Sequence, residues 1–242
     1  MQNYQKFFNI HTAGEDDLHI LKKDFHKLLE DTLLDIDCDQ EYIPSIVNSL
    51  YSSMINFRVY YHTPVHVMSI FSFAKEHHIE LSRSEKLAIF FHDAIYRPGS
   101  KNNERYSIDF MKSLLNETRT NNDVINIASH IIHYTALHLE ELISSPGVEN
   151  LVMDLDMSGF SATPGVFTFQ SLMIEKEFHR GYGSDLFTLE QFLKGRKKFL
   201  TALKNKKTIY RTEFFLDKFE KRAQINLSNA IIEVDRRIES EL

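Results

Sequence analysis

A nearly unbroken apolar run, Leu87-Ala-Ile-Phe-Phe91, leads directly into His92-Asp93, and this stretch constrains the chain more than any other. Two titratable side chains stand where core residues are expected. An isolated carboxylate in apolar surroundings costs several kcal/mol or shifts its pKa until it is neutral, so His92 and Asp93 call for a shared charged partner. A divalent cation fits that role; taken alone, the pair is equally well explained by a hydrogen bond at a helix end. Upstream, Ser82-Arg-Ser-Glu85 has the form of a capping box that starts a helix. Downstream, Pro98 and Gly99 stop it, and Asn102, Asn103 and Glu104 open the next. Two helices therefore meet beside the pair.

The remainder of the chain is built to surround such a segment with more helices. Only 8 Gly and 5 Pro in 242 residues leave few tight turns, which favours long helices over many short strands. With 19 Phe and 10 Tyr, a core of some size can be buried, and no Pro/Gly/Ser-rich linker divides the chain. We expect one all-α domain over residues 1–242, its core at about 57–160 and the C-terminal helices packed upon it. The single Cys38 excludes an intramolecular disulfide and a cysteine-rich zinc site. No signal-peptide apolar region or membrane span is visible, so a cytoplasmic protein without membrane contact is expected.

Periodicity places the elements. Asp16 to Leu34 carries Leu18, Leu21, Phe25, Leu28, Leu29 and Leu33 at helical spacing, and Glu41 to Met54 is a weaker repeat with Pro44 in its first turn. In Tyr61-His-Thr-Pro-Val-His66, Thr63 and Pro64 suit a helix start, with His62 before the helix and His66 in its first turn. Glu104 to Asn116 forms a helix, and Asn122 to Leu139 another that carries His130, His133 and His138. A break is expected at Pro146-Gly147. Asp154 and Asp156 follow among apolar residues; two apart on a helix, they point about 200° away from each other, so at most one enters a common site. Thr188-Leu-Glu-Gln191 caps a later helix, Gly165 to Lys176 and Asp217 to Ile238 are helical by period, and Lys206 to Phe215 has no clear pattern.

Charge is uneven. The formal total of −6 argues against nucleic acid as a partner, yet Lys194 to Arg211 holds eight Lys or Arg and no acid. Removing these eight from the 28 basic residues leaves 20 against 34 acidic ones. A solvated helix face explains such a run; a rim that attracts phosphate is the other reading.

The groups that break apolar periodicity are His66, His92, Asp93, His130, His133, Asp154 and Asp156. A mixed nitrogen and oxygen set of this kind suits Mn, Fe, Ni, Co, Zn or Mg without choosing among them. Singly, each is as well read as a satisfied core side chain. Together, Tyr61-His-Thr-Pro-Val-His66, Phe91-His92-Asp93, Pro98-Gly99 with Asn102, Asn103 and Glu104, and a late Asp resemble the HD superfamily of metal-dependent phosphohydrolases. Within it the chain is most similar to the bacterial family of predicted metal-dependent HD phosphohydrolases. Ser107, Gly195-Arg196, Ile209-Tyr210-Arg-Thr212 and Glu220 to Leu227 extend the resemblance, which covers about residues 15 to 235.

That resemblance implies an HD-type helical bundle. It also implies a divalent metal ion held by His66 or His62, by His92 and Asp93, and by Asp154 or Asp156. Cyclic nucleotide phosphodiesterases share a Tyr-His-x-x-x-His start in which the second His binds metal and the first donates a proton. That likeness makes His66 the ligand and His62 the acid, and the superfamily's usual late Asp favours Asp156, so the implied ligands are His66, His92, Asp93 and Asp156. The implied catalytic groups are His62, Asp93 and His133, the last of which matches a family position. Arg97, Lys101 and His130 are the expected substrate contacts. The implied activity is hydrolysis of a small phosphate ester, a nucleotide or another phosphorylated metabolite, by a metal-activated water. An idle, metal-stabilised scaffold that binds a nucleotide or a protein is the alternative. Neither the substrate nor the oligomeric state follows from the sequence.

Overall fold

The structure, a computed structural model, describes residues 8–55, 58–139, 147–178 and 187–241. The first seven residues and the expected break at Pro146 lie outside them. All regular structure among the described residues is helical, as expected: eleven α-helices, one 3-10 helix and no strand. In chain order these are α1 (Glu15–Asp35), α2 (Ile43–Met54), α3 (Pro64–Glu76), α4 (Arg83–Phe91), α5 (Asn103–Leu115), α6 (Asn122–Thr135) and α7 (Glu149–Asp156). The 3-10 helix Met157–Ser161 leads to α8 (Pro164–Lys176), α9 (Leu189–Lys204), α10 (Glu213–Lys218) and α11 (Glu220–Glu241).

The short α4 is the axis of the bundle. Every residue from Leu87 to Phe91 is fully buried, because α1, α3, α5, α6 and α7 all pack against α4 and leave it no wet face. Its capping box forms as the sequence predicts: the Glu85 amide donates to Ser82 Oγ and the Ser82 amide to Glu85 Oε2. The far end is closed by side chains. The Ile95 amide donates to Ser107 Oγ, and Asn103 both accepts from the Arg97 amide and donates to the Arg97 carbonyl. Between them Gly99 takes φ +77°, and a Cβ there would lie 2.8 Å from the Phe187 ring. Only glycine fits that turn. One apolar cluster continues from these helices through α9 to Val234 on α11. No described helix is long and apolar enough to cross a membrane.

Two departures from the periodic reading share a cause, namely side chains that replace helical hydrogen bonds. The helix expected to reach Leu139 ends at Thr135. Lys206 Nζ donates to the His138 carbonyl at 2.8 Å, and the Arg211 guanidinium lies 3.5 Å from the Leu137 and His138 carbonyls. The patternless stretch after Lys206 is held by two acids. Glu220 accepts from the Ile209 and Tyr210 amides, and Asp154 from the Arg211 and Thr212 amides and the Thr212 hydroxyl. Asp154 is fully buried, so Asp154→Ala strands three donors away from water. We expect a loss of about 3 kcal/mol or more on the scale of buried unsatisfied groups, read by urea denaturation, while the folded protein keeps its affinity for metal.

Candidate metal centre

Three helix ends converge on one point. His66 comes from the first turn of α3, which Thr63 starts by accepting from the Val65 amide. His92 and Asp93 leave the C-terminus of α4, and Asp156 ends α7. His66, His92 and Asp93 are buried and Asp156 is half-buried; one donor atom from each lies within 4.8 Å of all the others. His66 Nε2 is 2.9 Å from Asp156 Oδ1 and 3.9 Å from Asp93 Oδ2. His92 Nε2 is 3.0 Å from Asp93 Oδ2 and 3.6 Å from Asp156 Oδ1.

Proton positions make this arrangement informative. His92 Nδ1 is 2.9 Å from the Ile89 carbonyl, which only accepts, so Nδ1 carries hydrogen and a neutral His92 turns its Nε2 lone pair inward. That atom is 3.3 Å from His66 Nε2. Two imidazole nitrogens and two carboxylate oxygens thus face one small space, where a shared cation or proton must lie. A first-row metal takes such donors at about 2.0–2.2 Å, which sets adjacent ones roughly 3 to 3.5 Å apart. The observed separations, 2.9 to 3.9 Å, lie around that range, and the donor set suits several divalent ions. The group formed by His66, His92, Asp93 and Asp156 can therefore hold a metal ion. Asp154, two residues away, accepts from the Arg211 and Thr212 amides instead.

Without a cation the site relies on protons. Burial opposes charge on His92, but Asp93 and Asp156 overcome it and hold its pKa well above the usual imidazole value. Burial likewise opposes charge on Asp93, yet the His92 and His62 charges bring its pKa down to about 2. The depressed Asp93 stabilises the fold above the ordinary carboxylate pKa, and that contribution is lost as pH falls from about 4 to 2. The raised His92 stabilises below about pH 6.5, and its share is lost as pH rises through the raised value. Metal competes with that imidazole proton, so binding tightens with rising pH. We therefore expect thermal melts of chelator-treated protein to peak at weakly acidic pH, and the stabilisation by added Mn to grow toward alkaline pH.

Around the donors lies a second set of residues. His138 Nε2 donates to Asp156 Oδ2 at 2.9 Å, while its Nδ1 is buried with no partner among the described residues. His138 thereby orients Asp156, as residues behind metal ligands commonly do. Glu177, fully buried beyond the end of α8, accepts from the Tyr60, Tyr61 and His62 amides with Oε2. Its Oε1 stands 2.5 Å from His62 Nδ1. The His62 ring stacks on Tyr96 at a centroid distance of 3.6 Å. Burial alone would lower the His62 pKa, but Glu177 and Asp93 raise it above the usual value. Burial also raises the pKa of Glu104 in the first turn of α5, with Asp93 and Asp156 adding to it.

The other sequence candidates are not among the four converging donors. His133 is exposed with its ring beside Tyr134, and His130 lies 3.5 Å from Glu149. Arg97 is exposed, its guanidinium 5.9 Å over the Tyr106 ring, and Lys101 is exposed. In the basic run, Lys194 pairs with Glu190 and Lys197 with Asp235, while Lys204 donates to Ser228. Glu177, His138, Tyr96 and Arg196 carry the surroundings of the site, and no spacing rule selects them. No family model matches the chain, and comparison with curated proteins likewise gives no match.

Proposed function

We propose that the protein is a metal-dependent phosphohydrolase of the HD type, acting on a small phosphate ester. The observation that carries this reading is the convergence of His66, His92, Asp93 and Asp156, with the His92 proton committed to the Ile89 carbonyl and its Nε2 turned inward. A divalent ion bound there supplies positive charge that offsets repulsion between phosphate and an attacking water and lowers that water's pKa.

The chain's own groups divide the remaining work. Asp93 and Asp156 supply the negative charge that holds the cation, and His138 fixes the orientation of Asp156. Asp156 commits one oxygen to His66 and the other to His138, so Asp93 is the carboxylate assigned to orient the attacking water. His62 serves as the acid. Its Nδ1–H is donated to Glu177, so Nε2 is the nitrogen left to give a proton to the leaving oxygen. Tyr96 holds the plane of its ring, and the rings of His62 and His66 are 6.0 Å apart between centroids. A scaffold that merely used an ion for stability would have no need of a buried carboxylate that fixes a second imidazole beside it. This second imidazole favours catalysis over the idle-scaffold reading.

The test is a hydrolysis screen over nucleotides, cyclic nucleotides and sugar phosphates with Mn, Mg, Co and Ni, beside His92→Ala and Asp93→Ala. Release of phosphate, or of the product monoester from a cyclic nucleotide, by the wild type alone supports the proposal. Absence of turnover across the panel, or equal turnover by the two variants, overturns it.

A further inference from the structure

Arg196 on α9 is a half-buried cation with no carboxylate partner among the described residues. Two other half-buried arginines each reach an acceptor: Arg237 pairs with Glu175, and Arg211 approaches the Leu137 and His138 carbonyls. Arg196 makes no ion pair with any carboxylate among the described residues. Its guanidinium carbon lies 5.6 Å from the Phe199 ring centroid, and its charge acts on the hydroxyls of Tyr61 and Tyr96. Burial brings its pKa down to about 10, the direction expected of a cation that lacks a partner.

Arg196 stands between the aromatic rings behind the metal centre and an open space. Tyr96 stacks on His62, and the Tyr61 ring lies 4.9 Å from the rings of both His62 and His66, so one layer of aromatic rings separates Arg196 from the proposed acid and a ligand. Arg196 also lines a cleft of about 480 Å³ formed by α8, α9 and α11, walled by Phe167, Leu172, Phe192 and Leu193. A volume of that order accommodates a small organic molecule. A planar guanidinium at its wall binds a carboxylate or phosphate through two parallel hydrogen bonds.

We infer that Arg196 is an anion-binding residue that takes the carboxylate or phosphate of a small organic molecule seated in the cleft between α8, α9 and α11, a space none of the four metal-centre residues lines. The ligand class is a small organic carboxylate or phosphate ester with an apolar body. The inference does not depend on the phosphohydrolase reading.

The first measurement is therefore made without metal. Chelator-treated wild type, Arg196→Gln and Arg196→Lys are titrated with inorganic phosphate and with acetate by calorimetry. The wild type should bind one or both, and Arg196→Gln about ten- to a hundredfold more weakly, the scale of lost charge-assisted hydrogen bonds. Arg196→Lys, which keeps the charge and loses the fork, should fall between them, and it stands as the readout if the glutamine variant does not fold. Equal binding by all three proteins, or none by the wild type, overturns the inference. The second measurement titrates the same proteins with a small aromatic carboxylate and with its methyl ester. The wild type should prefer the carboxylate, and Arg196→Gln should reduce that preference at least about tenfold. An unchanged preference overturns the inference.

Discussion

Asp93→Ala should abolish stoichiometric metal binding and reduce hydrolysis to background while leaving a folded helical bundle. Asp93 Oδ2 stands 3.0 Å from His92 Nε2 and 3.9 Å from His66 Nε2, so its removal opens the middle of the donor set. Loss of a residue behind a metal ligand commonly costs 10–100-fold in affinity, so loss of a ligand should cost at least ~10²-fold. The site also loses one of the two carboxylates that balance a dication. In the wild type, metal at about a hundred times its Kd stabilises by ~2.7 kcal/mol, which for a chain of this length raises Tm by roughly 5–10 °C. Chelation should reverse that rise in the wild type and leave the Tm of Asp93→Ala unchanged. Asp93→Asn keeps the shape and removes the charge, which separates a packing defect from a ligand defect. Metal analysis after gel filtration decides the matter: a full equivalent retained by both Asp93→Ala and Asp93→Asn would show that the carboxylate is not a ligand.

The fold was legible wherever local signals acted alone. Ser82 and Thr188 both form the capping boxes that their spacing predicts, and Thr63 with Pro64 starts α3 where that pair suggests. His66, His92, Asp93 and Asp156 stood among seven groups that interrupt an apolar pattern, and the resemblance to a family, not the periodicity, narrowed the seven to these four. The surroundings of the site follow a different logic. Glu177 meets His62 across 115 positions, and Glu175 and Glu177 look alike in the sequence around Lys176. Only the packing of α8 decides that Glu177 is buried while Glu175 pairs with Arg237. His138 was hidden by a helix boundary. A continuous helix to Leu139 would carry His138 onward from His130 and His133, whereas the turn that follows Thr135 brings it to Asp156. The donors that end this helix, Lys206 and Arg211, lie some seventy residues away and left no mark on its periodicity.

His62→Ala should keep the metal and slow turnover by ~10²-fold or more, the usual scale of a lost general acid. Its side chain is 16 % exposed against 5 % for His66, as suits a group at the mouth of the site beside a buried ligand. The loss should be smaller for a nitrophenyl phosphate, whose leaving group needs less protonation. An acid works in its protonated form, so kcat should fall as pH rises through the raised His62 pKa, and His62→Ala should lose that alkaline limb. Glu177→Gln should shift the limb to lower pH, because the neutral amide no longer favours the imidazolium. The glutamine must also meet three backbone amides and an imidazole N–H with a single oxygen, so a loss of about 1–3 kcal/mol should accompany the shift. The pH profile separates the two effects, since a merely structural Glu177 would lower stability without moving the limb. Should His62→Ala empty the site while His66→Ala leaves it filled, the two histidines must exchange roles.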